Sequence, residues 1–498
     1  MKPPPQPARP EPTTERRPAP RTRNVARREV DPARVVAWRT VRAVDERDAY
    51  ANLELQQQLR TARMSGRDAA FATELAYGAL RGRGLYDAVL GACVDRPLAE
   101  VDPAVLDALR LGVHQLLAMR VPSHAAVAAT VDLVRAEIGQ GAAGFANAVL
   151  RRASERDHAA WQEQVAPDAA TDPDGHLAVV HSHPLWIVRA LRDALVLAGR
   201  PAGELPDLLA ADNDRPAVTL TALPGLTTAA ELVAAGASPG RLSPLAVTVT
   251  GAPDDLAAVR GRRARAQDEG SQLVTLALLG APVAGPDAGR WLDLCAGPGG
   301  KTALLGAELV RRRAAGDLPG DAVLVAGEVA EHRVRLVEGS VRGVLEAAPG
   351  AVLVRRADGT LAGTDEPDRY DRVLVDAPCT GLGALRRRPE ARWRRTPSDL
   401  TALAPLQRAL LASALDAVRP GGVVAYATCS PHQAETRFVV ADVLRRRDDV
   451  ERLDARAALV EASGGRIDPA TLGAGPDAQL WPHLHGCDAM YLSLLRRR

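Results

Sequence analysis

Aromatic residues make up only 3% of this 498-residue chain, too few for a recognition surface built from repeated rings stacked on bases. Lysine is scarcer still, because 61 of the 63 basic side chains are arginine and only Lys2 and Lys301 are lysine. The five cysteines, Cys93, Cys295, Cys379, Cys429 and Cys487, include no CxxC pair and form no regular framework, which excludes a disulfide-stapled scaffold. No run approaches the roughly 20 apolar residues of a membrane helix, and no apolar signal core opens the chain, so a cytoplasmic protein is expected. A net charge of +2 excludes a strong overall field, so any nucleic-acid contact must rest on local basic patches.

What is present is an ordinary globular composition, 46% apolar and 25% charged, over a length that calls for several domains. Residues 1–30 hold eight prolines and eight Lys or Arg with almost no large apolar side chains, and read as a disordered basic tail. Residues 31–160 carry helical periodicity and few strand-like alternations, which predicts an all-α bundle. Ser65 with Asp68 predicts a capping box before a helix over Ala69–Leu80, and Asp102-Pro103 predicts another start. The stripe Leu106, Leu109, Val113 and Leu116 then reads as a core face. Residues 161–265 mix proline, glycine, short helical runs and a strand near Ala217–Leu223, and are read as a linker and a small α/β subdomain. The segment AQDEGSQLVTLALLG that follows predicts a helix leading into a last domain, 266–498.

From residue 290 short apolar runs alternate with helical segments: WLDLC at 291, AVLVAGE at 322, AVLVRRAD at 351, RVLVDAP at 372, GGVVAYATCS at 421 and AMYLSLL at 489. That rhythm predicts a doubly wound, Rossmann-like α/β sheet, whose ligands sit beyond the carboxyl ends of the strands. The first strand runs into Asp293-Leu294-Cys295-Ala296-Gly297-Pro298-Gly299-Gly300-Lys301, a turn whose glycines let backbone approach a nucleotide-like ligand. GGKT with VLVDAP superficially matches a P-loop ATPase. Cys295, however, holds the place of that motif's first glycine, and Pro298 removes an amide that would face phosphate. Glu328 at the second strand end suits the hydroxyls of a ribose, Asp358 at the third suits adenine, and Asp376 closes the fourth. Each acid taken singly could cap a helix; their shared position favours a ligand.

Two turns carry the chemistry: Asp376-Ala377-Pro378-Cys379-Thr380-Gly381 and Thr428-Cys429-Ser430-Pro431, each at the end of a predicted strand. A lone cysteine is usually a small buried hydrophobe, but two facing one crevice point to thiolate chemistry. Carbon 5 of cytosine is a poor nucleophile until a thiolate adds at carbon 6, and an acid near N3, for which Asp376 is the candidate, stabilises that addition. Taken in order, DLCAGPGGK, DAPCTGLG and TCSP resemble the Sun/Fmu family of RNA 5-methylcytosine methyltransferases. RDAAFATELAYGALR at 67–81, LDALRLGVHQLLAMRVPSHAAV at 106–127 and FANAVLRR at 145–152 resemble the NusB-like RNA-binding domain fused to its members. The resemblance implies S-adenosylmethionine held by Cys295 through Lys301 with Glu328, Asp358 and Asp376. It further implies Cys429 as nucleophile and Cys379 as the thiol that assists product release. CAGPGG in place of CAAPGG and a glutamate at 328 in place of aspartate depart from the family's commoner pattern. A DNA cytosine methyltransferase would use the PC-motif cysteine as nucleophile, which the TC motif and the NusB-like segment oppose.

The resemblance also implies 16S rRNA as substrate and Arg110, Arg120, Arg151 and Arg152 as phosphate contacts. Between Leu385 and Thr396, six arginines surround Trp393. Arg386, Arg387, Arg388, Arg392, Arg394 and Arg395 are the candidate RNA grip, with Trp393 available to stack a base, against the plainer reading of a solvated basic loop. His483, His485 and Cys487 lack a fourth ligand, so no metal is expected. A monomer is expected, and a non-catalytic RNA-binding, antitermination-like factor stands as the alternative function.

Overall fold

Asp31 and Asp102 each precede a proline, and each folds its carboxylate onto the first amides of a helix, accepting from Ala33 at 2.9 Å and from Ala104 at 2.8 Å. They open the first and fifth of seven helices, Pro32–Arg47, Ala51–Thr61, Gly66–Arg81, Arg83–Cys93, Pro103–Leu117, Ser123–Glu137 and Gln140–Ala153. The computed structural model describes residues 1–2 and 30–498, so nearly all of the expected basic tail lies outside the described residues. Leu75, Leu80, Leu90, Leu109, Val113 and Leu150 fill the bundle core, with Leu106 and Leu116 packed at its margin, as the apolar stripe predicts. The capping box expected at Ser65 does not form. Its helix starts at Gly66 with φ of +59°, and no side-chain bond from Ser65 reaches the first turn.

Four helices, His158–Val165, Pro173–Val180, Leu185–Leu197 and Leu205–Ala211, lead from the bundle to a small antiparallel sheet. Its strands are β1 (Val218–Ala222), β2 (Ser238–Pro239), β3 (Ala246–Val249) and β4 (Ala264–Ala266), in the order β2-β3-β1-β4. The helix predicted next is Glu269–Gly280, capped by Asp268.

The last domain is a doubly wound sheet. Its strands are β5 (Arg290–Asp293), β6 (Val323–Glu328), β7 (Val352–Arg356), β8 (Tyr370–Asp376), β9 (Val418–Thr428), β10 (Val450–Leu453), β11 (Ala478–Gln479) and β12 (Tyr491–Arg497). The order is β10-β12-β9-β8-β5-β6-β7, with β11 beside β12. β5 through β9 are parallel and β12 runs antiparallel to β9. Apolar layers cover both faces, Leu305, Leu324, Val341 and Leu492 on one, Val373, Leu411, Leu415 and Tyr426 on the other. This two-sided burial is why these strands read as nearly continuous hydrophobic runs. The chain reverses its direction of strand addition at β5, so a crevice opens at the carboxyl ends of β5 and β8.

Candidate active site

Strands β8 and β9 pair in parallel with Asp376 opposite Ala427, so the turns that leave them lie side by side. That register brings Cys379 and Cys429 together, Sγ to Sγ 3.4 Å, although 50 residues separate them. Thr380, one residue past Cys379, donates its amide to Glu435 at 2.7 Å, and Gln407 donates to the Pro378 carbonyl at 2.8 Å, which pins the turn. Lys301 projects from the first turn of the helix Gly300–Ala315 and pairs with Asp376 at 2.8 Å.

The two thiols share one hydrogen bond, and their surroundings make them unequal. The Cys429 pKa is lowered by the bond from Cys379, against the pull of burial and of Asp376, and the Lys301 and Arg388 cations add to the lowering. The same bond, together with burial, raises Cys379 well above the ordinary thiol range. Of the two thiols, Cys429 is the more easily deprotonated.

A cavity of about 590 Å³ runs from Cys429 along the glycine turn. Cys295, Ala296, Gly297, Pro298, Gly300, Lys301, Asp376 and Cys429 line it, as do Asp293 and Arg265, which the sequence motifs left unassigned. A Cβ on Gly297 would meet the Glu328 carboxylate and the Arg333 guanidinium, so a side chain there requires those two ends to move aside. Gly299 turns the chain at φ of +97° against Ser340. Four buried side-chain atoms of the cavity lining lack partners, Arg81 Nε, Gln267 Oε1 and, beside the glycine turn, Asp293 Oδ1 and Arg265 Nε. Burial pushes the Asp293 carboxyl up to about 7, and it pulls the Arg265 guanidinium down to about 10. A buried anion acceptor and a buried cation without a carboxylate are what a zwitterionic ligand end would satisfy.

The other expected cofactor acids sit apart from this cavity lining. Glu328 ends β6 as predicted, is 4% exposed, and accepts the Gly297 amide at 3.2 Å with Arg333 beside it at 3.4 Å. Asp358 lies two residues beyond the end of β7, exposed, and accepts from the Thr360 amide at 3.0 Å.

The arginine grip needs correction. Arg392 is fully buried and donates to the carbonyls of Ser182 at 3.0 Å and Asp212 at 3.1 Å and to the Asn213 side chain at 2.8 Å. Arg386 is buried between Asp268 and Asp488, both at 2.8 Å, and Arg387 shares the same two carboxylates. Arg394 reaches Asp48 at 3.2 Å, and Arg395 donates to the Thr380 carbonyl at 3.1 Å. Trp393 gives its indole N–H to the Leu80 carbonyl at 3.0 Å rather than offering a face for stacking. Five of the six arginines thus bind protein groups, and Arg388 alone is exposed with no ion pair among the described residues. In the bundle, Arg110 is buried against Asp87 at 2.7 Å and Asp107 at 2.8 Å, so it is no phosphate contact, while Arg120, Arg151 and Arg152 lie on the surface.

His483 meets Glu204 at 3.1 Å, His485 accepts the Trp481 amide at 2.9 Å, and Cys487 is buried, so each has its own setting. Among the described residues no group of three such side chains is placed to hold a metal, and no helix is long and apolar enough to cross a membrane.

Comparison with known proteins is consistent with this arrangement. Residues 281–496 match the family model described as 16S rRNA methyltransferase RsmB/F, and residues 31–155 match that of the NusB family. The chain is 53% identical over 480 residues to Rv1407 of Mycobacterium tuberculosis, named simply as a methyltransferase, covering 96% of this chain and 99% of that one. It is 31% identical over 448 residues to ribosomal RNA small subunit methyltransferase B of Xylella fastidiosa, covering 84% and 89% respectively. The crystal structure of PH0851 shares the fold over 94% of this chain and 99% of its own, with a TM-score of 0.73 at 20% identity.

Proposed function

The chain belongs to the RsmB/F family of 16S rRNA methyltransferases, and on that premise we propose that it methylates carbon 5 of a cytosine in 16S rRNA through a covalent bond from Cys429 to carbon 6. The observation that carries the reading is the pair of unequal thiols 3.4 Å apart, of which Cys429 lines the glycine-turn cavity with Lys301 and Asp376.

S-adenosylmethionine, when bound, supplies the electrophilic methyl group. Its holders would be the turn Cys295–Lys301 and Asp376, with Arg265 and Asp293 at its amino-acid end and Glu328 at the ribose once Arg333 turns aside. Asp358, exposed beyond β7, would take the adenine.

Cys429, as thiolate, adds to carbon 6 of the base and so turns carbon 5 into an enamine-like carbon. Asp376, which pairs with Lys301, would contact N3 as charge develops there. After methylation carbon 5 must lose its proton to a base, and the C–S bond breaks to return the Cys429 thiolate. Cys379, within hydrogen-bond reach of that sulfur, assists this release.

The test is transfer of labelled methyl to unmethylated 16S rRNA. Wild type should label cytosine, Cys429→Ala should not, and Cys379→Ala should accumulate a covalent protein–RNA species on a denaturing gel. Loss of bond formation in Cys379→Ala, with Cys429→Ala active, would reverse the assignment of nucleophile. RNA binding without any transfer by wild type would favour a binding factor.

A further inference from the structure

The cavity that holds Cys429 is not closed by the methyltransferase domain alone. Tyr77 and Arg81, from the helix Gly66–Arg81 of the NusB-like bundle, line it together with Lys301 and Asp376. The charges around it pair off unevenly. Arg386 and Arg387 meet Asp268 and Asp488, Lys301 meets Asp376, and Arg215 meets Glu74 at 3.6 Å. Three lining cations are left without an ion pair among the described residues: Arg265 beside the glycine turn, Arg81 and Arg388.

Arg81 and Arg388 come from different domains, and the charges of both act on the Tyr77 hydroxyl. The Arg81 Nε is buried without a hydrogen-bond partner, and burial lowers its pKa while Glu74 and Tyr86 raise it. Arg81 as a whole is half-buried, so this unpartnered N–H is costly in place and leaves the guanidinium able to take up an anion that enters the cavity. Arg388 is exposed at the mouth, near enough to help lower the Cys429 pKa.

We propose that the NusB-like bundle completes the pocket for the target nucleotide, and that Arg81 and Arg388, which line it with Tyr77, hold RNA phosphodiesters next to the base that enters it. The inference rests on the RNA methyltransferase reading. It departs from a picture in which the bundle is a remote anchor, since its exposed Arg120, Arg151 and Arg152 play no part here.

The experiment uses the full chain and a 16S rRNA fragment, measuring the fragment's Kd against KCl concentration, KM and kcat for methylation, and S-adenosylmethionine affinity by calorimetry. Arg81→Gln and Arg388→Gln should each raise the RNA Kd and KM about tenfold and flatten the log–log salt slope by about one. Cofactor affinity should not change, and Arg81→Lys should recover most of the binding. Unchanged Kd and salt slope, or a parallel loss of cofactor affinity, would overturn the proposal. A lower melting temperature in Arg81→Gln that Arg81→Lys shares, with the salt slope intact, would assign Arg81 a structural role and overturn it too. The direct binding arm keeps this test separate from the chemistry: a wild type that binds RNA but transfers no methyl would sink the enzymatic reading alone.

Discussion

The turn 376–381 and the loop 385–396 are neighbours in the chain and both border the crevice, yet their polar groups point opposite ways. In the turn, Asp376 and Cys379 meet Lys301 and Cys429 at the cavity. In the loop, Arg386, Arg387, Arg392, Arg394 and Arg395 turn inward to carboxylates and carbonyls, several of them more than a hundred residues away. Glu390 accepts the Ala51 amide at 3.4 Å and Trp393 donates to Leu80, so the loop ties the bundle to the methyltransferase domain. A charge run shows how much charge a segment carries. Where that charge goes depends on partners that no local pattern contains.

The largest expected effect lies on the turn side. If Cys429 is the nucleophile as proposed, Cys429→Ala should lower methyl transfer by more than about a thousandfold with an unchanged melting temperature, since its side chain is small and partly buried. Activity within tenfold of wild type would move the nucleophile elsewhere. On the loop side, Arg392→Ala should leave several buried carbonyls without donors and cost about 3–5 kcal/mol in denaturant unfolding. It should also separate one cooperative transition into two. Arg388→Ala should change stability by less than about 0.5 kcal/mol, as expected for an exposed side chain. Equal losses from the two arginines would erase the contrast between tie and free cation.

The tie also carries a pH dependence. Burial pushes the Asp212 carboxyl up to about 7, with the Arg392 and Arg386 cations opposing the shift. A folded-state pKa raised above the unfolded one gives a contribution that is fully present below about pH 4 and is lost as pH rises through about 7. Wild type should therefore lose stability relative to Asp212→Asn over that window, by up to about 4 kcal/mol, and the difference should be flat above it. A difference that does not change with pH would show that Asp212 ionises in the folded protein as it does in the unfolded chain. A smaller effect returns to the thiols. Lys301→Met removes one of the cations that lower the Cys429 pKa, so the pH midpoint of Cys429 alkylation should rise and the rate at pH 7 should fall about tenfold. An unmoved midpoint would leave the Cys379 hydrogen bond as the main source of the lowered pKa.

Much of the geometry of the candidate site is legible in the sequence because a strand end followed by a fixed turn is a local device. All six predicted strands of the last domain are present, and the acids at 328 and 376 end theirs. The strands missed, Val450–Leu453 and Ala478–Gln479, are short and add only at the edge, where VERL and AQ give no apolar run to read. Nothing in the sequence around Arg265 shows that its side chain lines the cavity beside the glycine turn. Tyr77 and Arg81 fall on a helix whose periodicity separates core from surface, and a cavity wall between domains belongs to neither class. Arg110 failed for the reason Arg392 did: Asp45 and Asp87, which help bury it, come from other helices.

The smallest prediction asks how local a local signal is. Asp102 and Ser65 both stand before a helix with the residue type a cap requires, yet only Asp102 accepts bonds from the first turn, at 2.8 and 3.2 Å. The difference lies in the next residue. Pro103 enters its helix with φ already near the helical value, whereas Gly66 enters at +59° and carries the Ser65 side chain away from the amides it would cap. Asp102→Ala should accordingly cost about 1 kcal/mol in denaturant unfolding, and Ser65→Ala no more than a few tenths. Replacing Gly66 with alanine tests the cause directly. If the left-handed entry is what prevents the cap, forcing that residue into ordinary helical φ should let Ser65 reach the amide of Asp68. The Ser65→Ala cost should then rise toward that of Asp102→Ala, and a cost that stays near zero in both backgrounds would place the cause outside the backbone at Gly66.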